Sequence, residues 1–229
     1  MKLAIMQPYL FPYLGYFQLV GAVDEFVIYD DVNYINRGWI NRNNILVQGE
    51  AQLITLELVG ASQNRLINEL SVGSNHPKLL KTIKQNYSKA PQFDGVFPLI
   101  EEVLGNPERN LAKYLDYGIK RISDYLGLHP KWHTSSALQK AKSLHGQERI
   151  LAICEELKAT HYINPPGGKE LYDHENFLRR SMELSFIQAQ SVPYRQFGQA
   201  FVPNLSIIDV MMFNDREQCA GLLEEYDLV

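Results

Sequence analysis

The chain reads as an α/β protein: a mostly parallel sheet, Rossmann-like or nucleotidyltransferase-like, with a helix-rich middle region. Three observations predict this. Short β-type runs alternate with stretches of helical spacing at the start, and again in the second half. The middle carries long amphipathic stretches. Several β-type runs end abruptly in polar or glycine-rich residues, as strands do where a sheet presents its carboxyl edge.

The elements follow in order. Residues 2–6 are a β-type run that meets Gln7-Pro8, and residues 16–22 have helical spacing. Residues 25–29 form a second buried-strand run, closed by Asp30-Asp31. Residues 33–44 are rich in Asn and Arg and read as a loop. Runs 45–47 and 53–59 follow, with Gln48-Gly49-Glu50 as a hairpin turn. Helices are predicted over 77–87 and 107–126; in the second, Asn106 suits the N-cap, Pro107 the first position and Gly127 the exit. A strand over 131–134 stops at Ser135-Ser136. A helix over 147–158 leads to a strand at 161–163 and the turn 164–168. A strand over 184–189 and a mostly apolar helix over 203–213 complete the reading. Neither repeats nor a composition shift divides the chain, so one domain over 1–229 is expected, helix-rich from about 77 to 160.

Composition narrows the class. The 229 residues are 45% hydrophobic and 21% charged, with 22 basic against 26 acidic side chains, a net charge of -4. That is not the basic footprint of a nucleic-acid binder. Cys154 sits among Ile150, Leu151, Ile153 and Leu157 and reads as a small buried hydrophobe. Without a Cys-x-x-Cys pair, zinc and dithiol chemistry are unsupported, and two scattered cysteines suit a reducing, cytoplasmic compartment. Residues 3–23 carry no charge, which imitates a signal segment. Pro8 and Pro12 would break such a helix, and Gln7, Gln18 and three tyrosines dilute it. The expectation is an interior strand and no membrane insertion. Glu224, Glu225 and Asp227 read as a solvated acidic end.

Four strand ends carry the candidate chemistry: Gln7-Pro8-Tyr9, Asp30-Asp31, Ser135-Ser136 and Asn164-Pro165-Pro166-Gly167-Gly168-Lys169. If the strands are parallel neighbours, these ends converge on one rim and shape a pocket; otherwise they are only polar loops. Asp30 and Asp31 are the candidate catalytic residues, able to take a proton from a nucleophile or to cap a turn. Gly167, Gly168 and Lys169 could cradle phosphate, although the pattern is not a Walker motif and also suits a plain turn. Arg37, Trp39, Asn41, Arg42 and Asn43 form a natural clamp for a carboxylate, a phosphate or a ring, or a solvated loop around a packed Trp. Gln7, Tyr9, Tyr13, Tyr16, Ser135 and Ser136 complete the substrate-binding candidates. Ser206 and Asp209 have capping-box spacing, with Asp in place of Glu, so Asp209 is expected to be structural. No metal site and no cofactor are named by these residues. The expected partner is a small molecule.

These motifs resemble the WbqC-like family. The carriers are the run from Met6 to Phe17, Asp30-Asp31-Val32, the run from Arg37 to Asn43, Ser135-Ser136, Tyr162 with Gly167-Gly168, and Pro203 to Asp209. Many members of that family place His where Met6 stands and Trp where Tyr13 stands, so a mechanism using that histidine as a base could not operate here. The family's link to O-antigen and related surface-polysaccharide gene clusters implies a pathway more than a chemistry; the first reading within it is transfer of an acyl or amino-acid group to an amino sugar or a related activated molecule. A nucleotide-linked sugar is one candidate substrate. Alternatives are a nucleotide-dependent ligase or nucleotidyltransferase, and a binding or scaffold protein without catalysis. The layout around Tyr13-Leu14-Gly15-Tyr16 is also similar to the nucleotidyltransferase fold, which carries His-x-Gly-His there; tyrosines supply hydrogen bonds but no positive charge at neutral pH.

Overall fold

A computed structural model describes residues 1–139, 143–198 and 200–229 of the chain. In chain order the elements begin β1 (Lys2–Met6), α1 (Leu14–Gly21), β2 (Glu25–Ile28), β3 (Arg42–Val47), β4 (Glu50–Thr55), β5 (Leu58–Val59) and β6 (Ser71–Val72). Three helices follow, α2 (His76–Tyr87), α3 (Phe93–Leu104) and α4 (Leu111–Tyr125). Then come β7 (Lys131–Thr134), α5 (Gly146–Glu156), β8 (His161–Asn164), α6 (His174–Leu178), β9 (Glu183–Ala189), α7 (Ile207–Phe213), α8 (Arg216–Leu223) and β10 (Tyr226–Leu228).

The central sheet runs β10-β9-β8-β1-β2-β7. All pairs are parallel except β10 with β9. Strand alternation splits its side chains between two faces. Ala4, Phe26 and Ile28 join a core with α1, α4 and α8, whereas Leu3, Ile5 and Val27 pack with α5 and α6. Burying both faces needs apolar side chains at successive positions, which is why β1 and β2 show continuous runs. The first strand is interior, as its charge-free sequence predicts. Winding reverses between β1 and β8: β2 and β7 lie to one side, β8 and β9 to the other. At such a reversal a crevice opens beyond the carboxyl ends of the strands.

Several boundaries differ from the sequence reading. The helix predicted from Pro107 starts at Leu111, capped by Asn110, whose side chain accepts from the Lys113 amide at 3.2 Å. Residues before it stay extended because the Arg109 carbonyl accepts from the Val72 amide. Helix α3 was not foreseen, and Pro98 inside it masks its amphipathic face of Val96, Ile100 and Val103. The run 53–59 divides, its first part pairing with β3 and its last with β6. Between β3 and β4 the turn is tighter than read, with Gln48 and Gly49 both at positive φ, the form that matches strand twist. The helix predicted over 203–213 begins only at Ile207.

Glu224, Glu225 and Asp227 are exposed, as expected of a solvated acidic end, but their backbone is structured. Residues 226–228 add the antiparallel edge strand β10, and Gln18 inside the core donates to the carbonyls of Leu222 and Glu225. Tertiary pairing thus recruits a segment whose composition points to solvent. Both cysteines are buried and free, and burial pushes each thiol up to about 12. Among the described residues, no helix is long and apolar enough to cross a membrane.

Candidate functional site

Parallel pairing places the ends of β1, β2, β7 and β8 along one edge. Register carries Ile28 beside Thr134, so Asp30-Asp31 and Ser135-Ser136 leave adjacent strands together. Their side chains interlock. The Asp30 carboxylate accepts from the Ser136 amide at 2.9 Å, from Ser136 Oγ at 2.6 Å and from Asn68 Nδ2 at 3.1 Å. Asp31 Oδ1 accepts from Ser135 Oγ at 2.6 Å, and Asp31 Oδ2 lies 2.6 Å from an Arg149 guanidinium nitrogen. The two aspartates therefore divide the work. Asp30 is buried with both oxygens engaged, tying β2 to β7 and to the turn at Asn68. Asp31 faces a cavity.

That cavity has a volume of about 610 Å³ and is walled by Tyr29, Asp31, Asn33, Ser136, His145 and Arg149, among others. Its floor is polar. The first turn of α5 meets it at His145 and Gly146, and the N-cap His145 makes no side-chain capping bond. Uncapped amides at a helix start favour an anion. Arg149 lies 5.4 Å from the centre of the Tyr29 ring. Its Nε is buried without a hydrogen-bond partner among the described residues. Burial pushes the Tyr29 phenol up to about 12, against the downward pull of Arg149, so it stays a neutral donor.

The remaining candidates scatter. Gln7 follows β1, its carbonyl accepting from Tyr16 Oη at 3.2 Å. Tyr16 itself is in the core, packed on Tyr9, Phe17 and Phe26, and burial pushes its phenol far up. It faces no ligand, which corrects its reading as a substrate contact. Asn41 is likewise structural: it accepts from Tyr34 Oη and donates to the Leu56 carbonyl. Arg37 and Arg42 do not wall the Asp31 cavity, and among the described residues Arg149 meets Asp31 as a cation. Arg42 instead donates to the Gly38 carbonyl and lies over the Trp39 ring. Trp39, Tyr9, Tyr13 and Asn43 line a different cavity, of about 330 Å³.

The glycines after β8 have a packing explanation. A Cβ on Gly168 would come within 1.9 Å of Asn164 Nδ2 and 2.9 Å of the Tyr172 ring. The backbone approaches a side chain there rather than an open cradle, while Gly167 faces open space. Lys169 sits over the Phe186 ring, with Nζ 5.8 Å from its centre. Nothing in this arrangement converges on phosphate.

Asp209 is structural, but not through a capping box. Ser206 caps α7, accepting from the Ile208 amide at 3.3 Å. The Asp209 side chain turns inward and accepts from Tyr87 Oη, Tyr194 Oη and Gln196 Nε2 at 2.8, 2.6 and 2.6 Å. Local spacing showed the cap and missed the buried hub.

Sequence reasoning missed Tyr29, Asn68, His145 and Arg149. For Arg149 a signal existed. A cation in the first turn of a helix opposes the helix dipole, so its position calls for a reason outside the helix. Among the described residues, no cluster of three or more His, Cys, Asp or Glu side chains is placed to hold a metal ion.

Fold and site together define an α/β protein with a cavity at the carboxyl edge of its parallel strands that carries an aspartate–arginine pair. Residues 7–220 match the WbqC-like protein family, and the chain belongs to it. It is 29% identical over 218 residues to the uncharacterised protein Rv1507c of Mycobacterium tuberculosis, covering 93% of each chain. No solved structure matches it.

Proposed function

We propose that the chain is a transferase of surface-glycan biosynthesis that passes an acyl or amino-acid group to an amino sugar or a related activated small molecule. The pathway rests on the family resemblance. The chemistry rests on one observation: Asp31, paired with Arg149, lines a cavity of about 610 Å³ at the carboxyl edge of the sheet. A charged pair at a cavity wall suits a ligand that carries charge of its own. In this reading Arg149 and the first turn of α5 hold the anionic part of the activated substrate. The substrate amine attacks the activated carbonyl, Asp31 takes the amine proton, and the leaving group departs with its bonding electrons. Ser135 Oγ orients Asp31, and Asp30 holds Ser136 beside it.

A nucleotide-dependent ligase or nucleotidyltransferase is the second reading, favoured by the reversal of winding between β1 and β8. The burial of Tyr16 and the filled space at Gly168 weigh against it. Thermal-shift screening with nucleotides, nucleotide sugars and amino acids tests both. Saturation at a hundredfold over the dissociation constant stabilises the fold by about 2.7 kcal/mol. The first reading expects a sugar-bearing anion to stabilise the wild type but not Arg149→Ala, and to turn over. A nucleotide hit alone supports the second. A sugar hit without turnover makes the chain a binding protein of the pathway.

A further inference from the structure

The second cavity is built from three distant segments. Tyr9 and Tyr13 come from the β1–α1 connection, Trp39 from the loop entering β3 and Asn43 from the start of that strand, and Asn204 from the approach to α7. Hydrogen bonds lock them together. The Leu10 amide donates to the Ile40 carbonyl, and Asn43 Nδ2 donates to the carbonyls of Leu10 and Phe11. Ser206 Oγ donates to the Phe11 carbonyl, and the Ile207 amide to that of Pro12. Two main-chain positions outside hydrogen-bonded turns and helix ends adopt positive φ, Phe11 at 43° and Asn204 at 57°, and Arg37, at 61°, is the third residue of the turn from Ile35 to Gly38. One lies in each of these segments. Strain of that kind persists where a site's geometry requires it.

The rings are held for exposure. Trp39 is 49% and Tyr13 37% exposed, large aromatic surfaces that folding alone would bury. Arg42, fixed by the Gly38 carbonyl, supports the indole from 5.8 Å. Gly15 supports Tyr13: a Cβ there would meet the Tyr13 ring at 2.6 Å, so only glycine lets the ring lie against the start of α1. Among the described residues the lining carries no charged side chain, and Asn204 adds an amide to it.

We infer that Tyr9, Tyr13, Trp39 and Asn204 form a subsite for an uncharged, flat-faced ring with a hydroxylated edge, the chemistry of a pyranose. The aromatic faces take the apolar face of the ring, and the phenols and the Asn204 amide take its hydroxyls. The cup shares no lining residue with the cavity at Asp31. As a binding site it stands independently; its role as the acceptor-sugar subsite rests on the transferase reading.

Trp132→Phe leaves Trp39 as the only indole, so intrinsic fluorescence then reports on the cup alone. The probes are methyl hexopyranosides, N-acetylhexosamines and, as competitors, nucleosides, all at millimolar concentration. A pyranoside should quench and blue-shift the Trp39 emission. Gly15→Ala should weaken that binding about tenfold or more, the scale of losing one stacking partner, while Arg149→Ala leaves it unchanged. Calorimetry on Trp39→Ala, with circular dichroism to confirm the fold, gives the same answer without the reporter. Binding by nucleosides alone, no pyranoside response, or undiminished binding in natively folded Gly15→Ala and Trp39→Ala would each overturn the subsite. Pyranoside binding with no anion response at Arg149 would keep the subsite and sink the transferase reading; the reverse would do the opposite.

Discussion

Asp31 and Asp209 are both removed from bulk water, yet their surroundings differ in kind. Asp209 has three neutral donors, two phenols and an amide, and no cation. Burial pushes its carboxyl up from the ordinary range, while hydrogen bonds from Tyr194, Gln196 and Tyr87 pull it back. Asp31 has a serine hydroxyl and a guanidinium, and it opens on a cavity. A closed neutral network holds elements together: α2 through Tyr87, the segment before α7 through Tyr194 and Gln196. A charged pair at a cavity wall has one side open to a ligand. The two acids look alike in sequence, and only their partners separate structure from chemistry.

Substitutions can break that contrast, and the largest effect is expected at the closed network. Asp209→Ala leaves the Tyr87 and Tyr194 hydroxyls without their acceptor, while Gln196 Nε2 keeps the Val202 carbonyl, so chemical denaturation should show a loss of about 3–4 kcal/mol. That exceeds the roughly 1 kcal/mol of a lost helix cap. Ligand binding at Asp31 should be unchanged in whatever fraction stays folded. If Asp209→Ala melted like the wild type, the hub would not be holding the fold.

Next comes the charged pair. Arg149→Ala should cost about 2–3 kcal/mol, less than a fully buried pair because both side chains keep some solvent contact. A double-mutant cycle with Asp31→Ala should return a coupling of about 1–3 kcal/mol. A coupling near zero would mean that the two groups do not act as a unit. Anionic ligands should lose affinity in Arg149→Ala, which Asp209→Ala does not reproduce.

Gly168→Ala forces a Cβ into Asn164 and Tyr172, and should cost about 1–3 kcal/mol by overpacking. Denaturation measures that cost. If instead stability held while nucleotide affinity fell, the glycine would belong to a phosphate cradle. Ser206→Ala removes the cap of α7 and should cost about 1 kcal/mol, visible as a small drop in melting temperature.

The smallest effect depends on pH. Between the ordinary carboxylate value of 3.8 and the raised value of Asp209, the folded chain keeps a proton that the unfolded chain has released. The contribution is therefore complete below 3.8 and is lost as the pH rises through the folded value. The stability advantage of the wild type over Asp209→Asn should shrink as the pH climbs from about 4. A difference that is flat with pH would show that Asp209 titrates normally.

Local chemistry made much of the fold legible. β1 and β7 match their predicted ranges: β1 is an apolar run that stops at Gln7-Pro8, and β7 is a short stretch set between Pro130 and Ser135-Ser136. The shared end of β2 and β7 followed from the parallel reading, and Asp30, Asp31, Ser135 and Ser136 do meet there. Arg37 and Arg42 were drawn into that group because they follow Asp31 closely along the chain. The loop carries them elsewhere, and Arg149 arrives from a helix more than a hundred residues away.

By itself the sequence determined the alternation of strands and helices, the interior first strand, the polar strand ends and the family. Each of these depends on residues near one another in the chain, where propensity, periodicity and turn chemistry act directly. The tertiary structure decided which carboxylate faces the cavity, which cation meets it, and that Asp209 turns inward. It also decided that three separate segments close around an aromatic cup. Those outcomes depend on pairing across long sequence separations, where the partner of a polar group is chosen by which elements pack together, and no local pattern records that choice.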